Sequence, residues 1–502
     1  MRRILIAALI YAATTLPWPS TAQTLRIALR QDLDVLDPTL ATSYVGRIAF
    51  AGLCDKLFDI DEKLAIVPQL ASGYTWTDDR TLVIKLRDGV TFHNGEVLDA
   101  EAVKYSLGRH LTLPGSYRRS EISSIDQVEV VDRLTVRIVL KQPSGAFLAQ
   151  LTDRAGMVLP PKATEAAGKD FGRAPVCSGP FRFVERVAQD HVTLERFAGY
   201  WNKDAIHFDK LEYRVLVDPS VRLANLKAGA VELVEYVLPT DAASVKADAR
   251  LRLVVSDALG YLGITNNLNN GPRADNPYGK NAMVRQAFDL SLDRAAMVQV
   301  VFNGMYDPGV LPVTKGSPFF DPSVTMPARD VTKAKALLKQ AGVAVPVKLE
   351  LLTPNDPDLL QLAEVIQSMA SEAGFEVKIQ AMEFASTLSA GQRGEFQAYL
   401  IGWSGRADVD GNTFQFLRAG QGNNYSRYDN PVVNGLLEQA RGSVEVGARK
   451  ALYAQVWPEI RRDLPLTYLY TTRHVVGMSA KLSGFRPVPD GLIRVQDLRL
   501  AK

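Results

Sequence analysis

Apolar and polar positions alternate over residues 25–29, where Arg26 and Ala28 interleave with Leu25, Ile27 and Leu29, and that period of two predicts a strand at the head of the folded chain. The same pattern recurs in pairs. Residues 74–77 and 82–86 flank the turn Asp78-Asp79-Arg80, residues 128–131 and 136–140 flank Asp132-Arg133, and residues 181–186 and 191–197 flank Gln189-Asp190, so three hairpins are expected. Between the first two, residues 100–110 read as a helix with Asp99 as its N-cap. Further on the period lengthens. Residues 281–302 place Val284, Ala287, Phe288, Leu292, Ala295 and Ala296 on one face and predict a single long helix ended at Gly304. Asp330 caps another that Gly342 stops. Residues 347–352 then read as a strand, 359–373 as a helix closed by Gly374, and Phe375, Val377, Ile379 and Ala381 as the next strand, a βαβ unit that implies a locally parallel sheet. Helices at 431–440 and 448–462 follow, with a closing strand at 466–471 or in the tail beyond.

The first residues obey a different rule. Arg2 and Arg3 precede the apolar run 4–13, and Ser20-Thr21-Ala22 offers small residues to a signal peptidase, so residues 1–22 read as a signal peptide that sends the chain to the periplasm. The run is about ten residues where a membrane-crossing helix needs roughly twenty, and no cysteine stands at the cleavage site to carry a lipid.

About 480 residues remain, more than one hydrophobic core holds, so two or three lobes are expected. The formal charge is +3, of which Arg2 and Arg3 supply two, and this near-balance argues against nucleic acid as a partner. Cys54 and Cys177 are the two cysteines, and export makes a bridge between them plausible, with two buried free thiols as the other possibility. The histidines His93, His110, His191, His207 and His474 are scattered, without the close Cys/His spacing of a zinc site. No metal and no cofactor are expected. Neither a His-Glu-x-x-His helix, a Gly-x-Ser-x-Gly elbow, a phosphate loop nor a dinucleotide fingerprint occurs, which favours a binder over an enzyme. An exported hydrolase acting on peptides or glycosides is the alternative.

Several blocks carry a resemblance. They begin with Leu36-Asp37-Pro38, Leu57-Phe58-Asp59, Pro68-Gln69-Leu70-Ala71 and Tyr74-Thr75-Trp76, and continue through Leu82-Val83-Ile84-Lys85-Leu86-Arg87-Asp88-Gly89-Val90-Thr91-Phe92-His93-Asn94-Gly95-Glu96. Ser178-Gly179-Pro180-Phe181, Tyr200-Trp201-Asn202, Val284-Arg285-Gln286-Ala287, Asp293-Arg294 and Tyr425-Ser426-Arg427-Tyr428-Asp429-Asn430-Pro431 follow in order. The chain resembles the family 5 extracellular solute-binding proteins of ABC importers, the dipeptide-, oligopeptide- and nickel-binding class. What the resemblance implies is an α/β, bilobal fold of the type II periplasmic-binding-protein kind, with an extra subdomain at about 55–180 inserted in lobe one. Lobe one would hold residues 23–265 and take back 475–502, lobe two would span 266–474, and the lobes would close over a small peptide-like or anionic polar solute. The implied partners are that solute, an inner-membrane permease and its ATPase subunits, and the chain would act as a monomer. Most of the shared blocks read as scaffold: Trp76 and Phe92 as core, His93 as a hydrogen-bonded structural residue.

The ligand question centres on Gly402-Trp403-Ser404-Gly405-Arg406-Ala407-Asp408. Dipeptide-binding relatives carry an aspartate just after the second glycine, where it pairs with the peptide's amine; here Arg406 stands in its place. A buried ammonium needs an anion, so either the solute lacks a free amine there and presents an acidic group to Arg406, or Asp408 takes the role. The alternative is that Arg406 points outward or bridges Asp408 or Asp410. Trp403 offers a rigid ring for stacking, with Ser404 beside it. By the same resemblance Tyr44 faces the cleft from an early loop and Arg154 contacts ligand carboxylates; Arg118-Arg119 reads as a solvated basic pair, with reach to a ligand as the alternative. Residues 408–412 begin like a calcium loop, but Thr413 and Ala419 occupy its glycine and glutamate positions.

Overall fold

Three parallel strands in each half of the chain, joined through two long antiparallel ones, build the sheet that organises the protein. The computed structural model describes residues 23–501; the expected signal peptide lies outside the described residues. The sheet has 11 strands, and its order is Phe375–Met382, Val347–Pro354, Ala398–Trp403, Leu251–Asn266, Leu466–Ser479, Leu233–Val234, Thr24–Leu29, Lys210–Val215, His191–Arg196 and Phe181–Val187, with the short Asp307–Pro308 pairing Leu466–Ser479 off this path. Val347–Pro354 runs parallel to both of its neighbours, and so does Thr24–Leu29. The two central strands, of 16 and 14 residues, run antiparallel to each other. Each belongs to both lobes. The junctions expected at 265/266 and 474/475 therefore fall inside continuous strands, not in loops.

Each lobe has its own apolar interior. Ile27, Leu29, Phe50, Leu211 and Tyr213 are buried in the first, and Phe288, Leu349, Leu351, Ile366 and Phe375 in the second. A separate core of Leu82, Ile84, Phe92, Val103, Leu107 and Ile138 lies under a four-stranded antiparallel sheet ordered Ala71–Trp76, Thr81–Leu86, Thr135–Leu140, Ile125–Asp132, with the helix Ala100–Thr112 against it. All three expected hairpins form. Asp99 caps its helix by accepting from the Ala102 amide, and the βαβ unit closes as a parallel pair.

One expected helix is two. Residues 281–302 divide into Ala282–Ser291 and Arg294–Phe302. Asp293 accepts from the Ala296 amide and so starts a new helix, while Leu292 turns extended and stays buried. The apolar face continues across the break, which is why periodicity alone missed it.

Cys54 and Cys177 are bridged, with Cα atoms 4.9 Å apart. The bridge pins the end of the helix Tyr44–Leu53 to the Ser178-Gly179-Pro180-Phe181 block, where the Gly179 amide donates to Leu53 O at 3.0 Å. A Cβ at Gly179 would lie 2.5 Å from the Leu53 carbonyl carbon, so this position takes glycine for lack of room. His93 closes the same corner: the Cys177 amide donates to its Nδ1, and its Nε2 hydrogen goes to Gly179 O at 3.0 Å.

Candidate binding cleft

The C-terminal ends of the parallel strands in both lobes converge on the middle of the two long strands, the place where open α/β sheets bind ligands. Arg30 follows Leu29, Glu235 follows Val234, Asp356 and Asp358 follow Pro354, and Ser404 follows Trp403. Between them lies a cavity of about 210 Å³. Tyr44, Tyr236, Tyr261, Tyr306, Tyr470, Phe416 and Trp403 supply its aromatic wall, and Arg30, Glu235, Asp358 and Arg473 its charges.

Those charges are arranged in order. The Arg30 amide donates to Glu235 Oε1 at 3.0 Å, and the Arg30 guanidinium lies 4.6 Å over the Tyr236 ring with Nε lacking a hydrogen-bond partner. Burial would lower the Arg30 pKa, but Glu235, Asp356 and Asp358 together raise it. Opposite, the Tyr236 hydroxyl donates to Asp358 Oδ2 at 2.5 Å, and the Tyr306 hydroxyl donates to Tyr236 at 3.3 Å. Arg473 reaches Asp307 at 3.2 Å. Donors and acceptors thus alternate around the cavity, each cation standing beside a carboxylate.

Three of the six residues expected at the site line this cavity. Tyr44 presents its ring while its hydroxyl donates to Gly491 O at 2.8 Å. Gly491 has φ +71°, and a Cβ there would fall 2.2 Å from that hydroxyl and 2.1 Å from His474, so glycine is required by both backbone and space. Trp403 is fixed by its Nε1 donating to Asn412 Oδ1 at 3.0 Å and by the edge of Phe416, with ring centroids 4.8 Å apart. Ser404 Oγ accepts from Arg47 at 3.1 Å, a bond between lobes.

The other three lie away from its lining. Arg406 lies outside the cavity wall, neither at solvent nor against Asp408 or Asp410: its Nε is 2.7 Å from Asp153 Oδ2, and its guanidinium covers the back of the Trp403 ring at 4.3 Å. The pair brings opposite charges together without hydrogen-bond alignment, since neither atom has a hydrogen-bond partner. Burial pulls the Arg406 pKa down to about 10. Asp408 is held by both ends of the Arg449 guanidinium, at 2.8 and 2.5 Å. Arg154 is fully buried and donates to Ala41 O at 2.9 Å. The Arg118-Arg119 loop also turns away, Arg118 donating to Glu121 at 2.6 Å and Arg119 to Leu111 O at 2.7 Å. In each case the charge is taken up by another side chain or by backbone carbonyls within the protein.

Arg30, Glu235 and Asp358 were missed, although their signal is legible: each is a charged residue one to four positions beyond an apolar strand that belongs to a parallel set.

A family model described as bacterial extracellular solute-binding proteins, family 5 Middle, matches residues 65–425. The chain is 30% identical to the glutathione-binding protein GsiB of Pectobacterium atrosepticum, across 100% of this chain and 99% of the relative. Among solved structures, the periplasmic binding protein AgaA from A. tumefaciens R10 in complex with agropinic acid superposes with a TM-score of 0.87 at 25% identity, covering 95% of this chain and 99% of that one. The periplasmic binding protein DppA from Helicobacter pylori, an ABC transporter-associated protein in complex with the peptide STSA, gives 0.88 at 24%, covering 95% and 98%. Among the described residues no helix is long and apolar enough to cross a membrane. With a two-lobed sheet, a cleft at its centre and a family match over most of its length, the chain belongs to the family 5 extracellular solute-binding proteins, the solute-capturing components of ABC importers.

Proposed function

We propose that the chain captures a small peptide-like zwitterion, with glutathione as the first candidate, and delivers it as a periplasmic monomer to a membrane permease and its ATPase subunits. The observation that carries this reading is the cleft itself, about 210 Å³, with Arg30 beside Glu235, Asp358 bonded to the Tyr236 hydroxyl, and Arg473 paired with Asp307, all set among aromatic side chains. Ligand pockets commonly run from about 300 to 1,000 Å³, so a chamber of this size suits a short solute over an extended oligopeptide. Separated charges of both signs suit a molecule that carries both, because each buried ion then finds a counter-ion. The relationship to a glutathione-binding protein over the whole chain supports the same choice.

The reading includes a hinge. Register between the two long strands shifts between Asp257 and Tyr261, and this irregularity in the middle of an otherwise paired ladder supports bending there, with residues on either side moving as lobes one and two. Mass spectrometry of solute released from protein purified without refolding tests the ligand class, and calorimetry with glutathione tests the candidate. A released solute that is a small peptide, with one binding site per chain, is expected; a sugar, a bare metal ion or turnover of the added peptide would refute the reading.

A further inference from the structure

Asp356 and Asp358 stand at the start of the helix Pro357–Glu372, on the second-lobe side of the cleft. Asp358 is 7% exposed and lines the cavity; Oδ2 takes the Tyr236 hydroxyl, while Oδ1 is buried and has no hydrogen-bond partner. Asp356 is 8% exposed and close enough for the two carboxyl groups to hydrogen-bond to each other. The groups that face them come from several elements. Arg30 and Arg222 bring positive charge from the first lobe, Glu235 sits beside Arg30, and Tyr236, Tyr306 and Tyr470 bring neutral hydroxyls. The Arg222 guanidinium is already committed to the carbonyls of Tyr236, Leu216 and Val217.

Two guanidinium charges therefore face three carboxyl groups. Local neutrality holds only while one carboxyl keeps its proton, and burial together with the Asp358 charge pushes the Asp356 pKa well above the carboxylate range, while Asp358 stays below it, held there by Asp356, Arg30 and Tyr236 against its own burial. Asp358 lines the cavity, and once the Asp356 proton is gone its Oδ1 is a buried acceptor with no donor.

We propose that Asp358, backed by Asp356, is the cleft's subsite for a cationic nitrogen of the solute, an ammonium or guanidinium seated against Oδ1. This rests on the reading of the cleft as the solute site and names the end of the solute that the second lobe recognises. A cation placed there takes over the charge balance that the Asp356 proton maintains. The Asp356 O–H bond then breaks, its electron pair stays on the carboxylate, and the proton leaves to the buffer as the solute binds. Amine-bearing solutes accordingly bind more tightly as pH rises through the upper titration of the pair, until the amine itself loses its proton.

Glutathione and the dipeptide Met-Leu, each with its N-acetyl counterpart, test the subsite by calorimetry on the mature protein freed of bound solute, in two buffers of different ionisation enthalpy. The parent compounds are expected to bind at least about 100-fold more tightly than the acetylated ones, with up to one proton released per solute. Asp358→Asn should erase the preference, and Asp356→Asn should keep it while abolishing the proton release; circular dichroism checks that both variants fold, and the wild-type proton count needs neither. Equal affinity for parent and acetylated forms overturns the subsite and leaves the solute reading standing. Absence of proton release from the wild type overturns the shared-proton arrangement, and failure of all four compounds to bind overturns the proposed function and the subsite with it.

Discussion

Removing Asp153 should disable closure of the cleft more than it disables folding. Asp153 is 3% exposed and serves three guanidiniums at once: Oδ1 accepts from Arg47 Nε at 3.3 Å and lies 3.7 Å from Arg154 Nε within the first lobe, and Oδ2 lies 2.7 Å from Arg406 Nε of the second. Burial alone would raise its pKa, but Arg406, Arg47 and Arg154 hold it well below the usual carboxylate range. In Asp153→Ala the closed form buries Arg406, 8% exposed, without its carboxylate, and taking one partner from a buried pair costs about 3–5 kcal/mol. Opening rehydrates Arg406, so that cost falls on the closed form and appears as lost affinity, about 10²- to 10³-fold. The part belonging to Arg47 and Arg154 stays within one lobe and appears as a lower Tm. Arg406→Ala should cost less, about 1–2 kcal/mol, because Asp153 keeps Arg47 and the Arg154 amide at 2.7 Å. The double variant should therefore bind more tightly than Asp153→Ala alone. Calorimetry with the co-purifying solute, together with the radius of gyration by scattering, reads both quantities. Wild-type affinity in Asp153→Ala, or a double variant no better than that single one, would falsify the account of the pair as an interlobe latch.

Other consequences follow from single contacts. Tyr236→Phe removes a hydrogen bond to a buried charge that joins the lobes, so affinity should fall about 10- to 100-fold with little change in Tm; an unchanged affinity would show that Asp358 finds another donor. Cys54→Ser/Cys177→Ser should lose stability on the order of 4–5 kcal/mol by the chain-entropy model, and thiol labelling of denatured, unreduced wild type should find no free thiol. His110 is fully buried, and burial lowers its pKa to about 3, so the unfolded chain binds a proton that the folded one refuses between about pH 6.5 and 3. Stability from this group is whole above that window and falls as pH drops through it. His110→Gln should flatten the slope of denaturation midpoint against pH, and an unaltered slope would count against the assignment.

Much of the fold is legible in the chain because its signals are local. Alternation and turn residues mark all three hairpins, and Asp99, Asp330 and Gly342 mark helix ends that the structure keeps. The division at Leu292 was hidden because the apolar face runs straight through it, while the cap that makes the break is one aspartate. The continuous central strands were hidden for a different reason. A ladder joining residues 251–266 to 466–479 depends on pairing far along the chain, and a domain boundary drawn from resemblance has to be placed somewhere on it.

The binding residues were harder, since a charge has no fixed role until its partner is known. Arg406 reverses the sign found in dipeptide-binding relatives, and from sequence that reversal points to an anionic solute. In the folded chain the reversal is compensated inside the protein, by Asp153 on the other lobe. Three of the four charges that reach the cavity, Arg30, Glu235 and Asp358, follow from topology and not from motif: each stands just past a strand of a parallel set, where the backbone delivers side chains to the cleft, while Arg473 comes from a long antiparallel strand. Sequence reading of a related chain therefore gains more from locating strand ends in both lobes than from the aligned Gly-Trp segment alone, because the segment fixes where Trp403 stands while the strand ends decide what charge it faces.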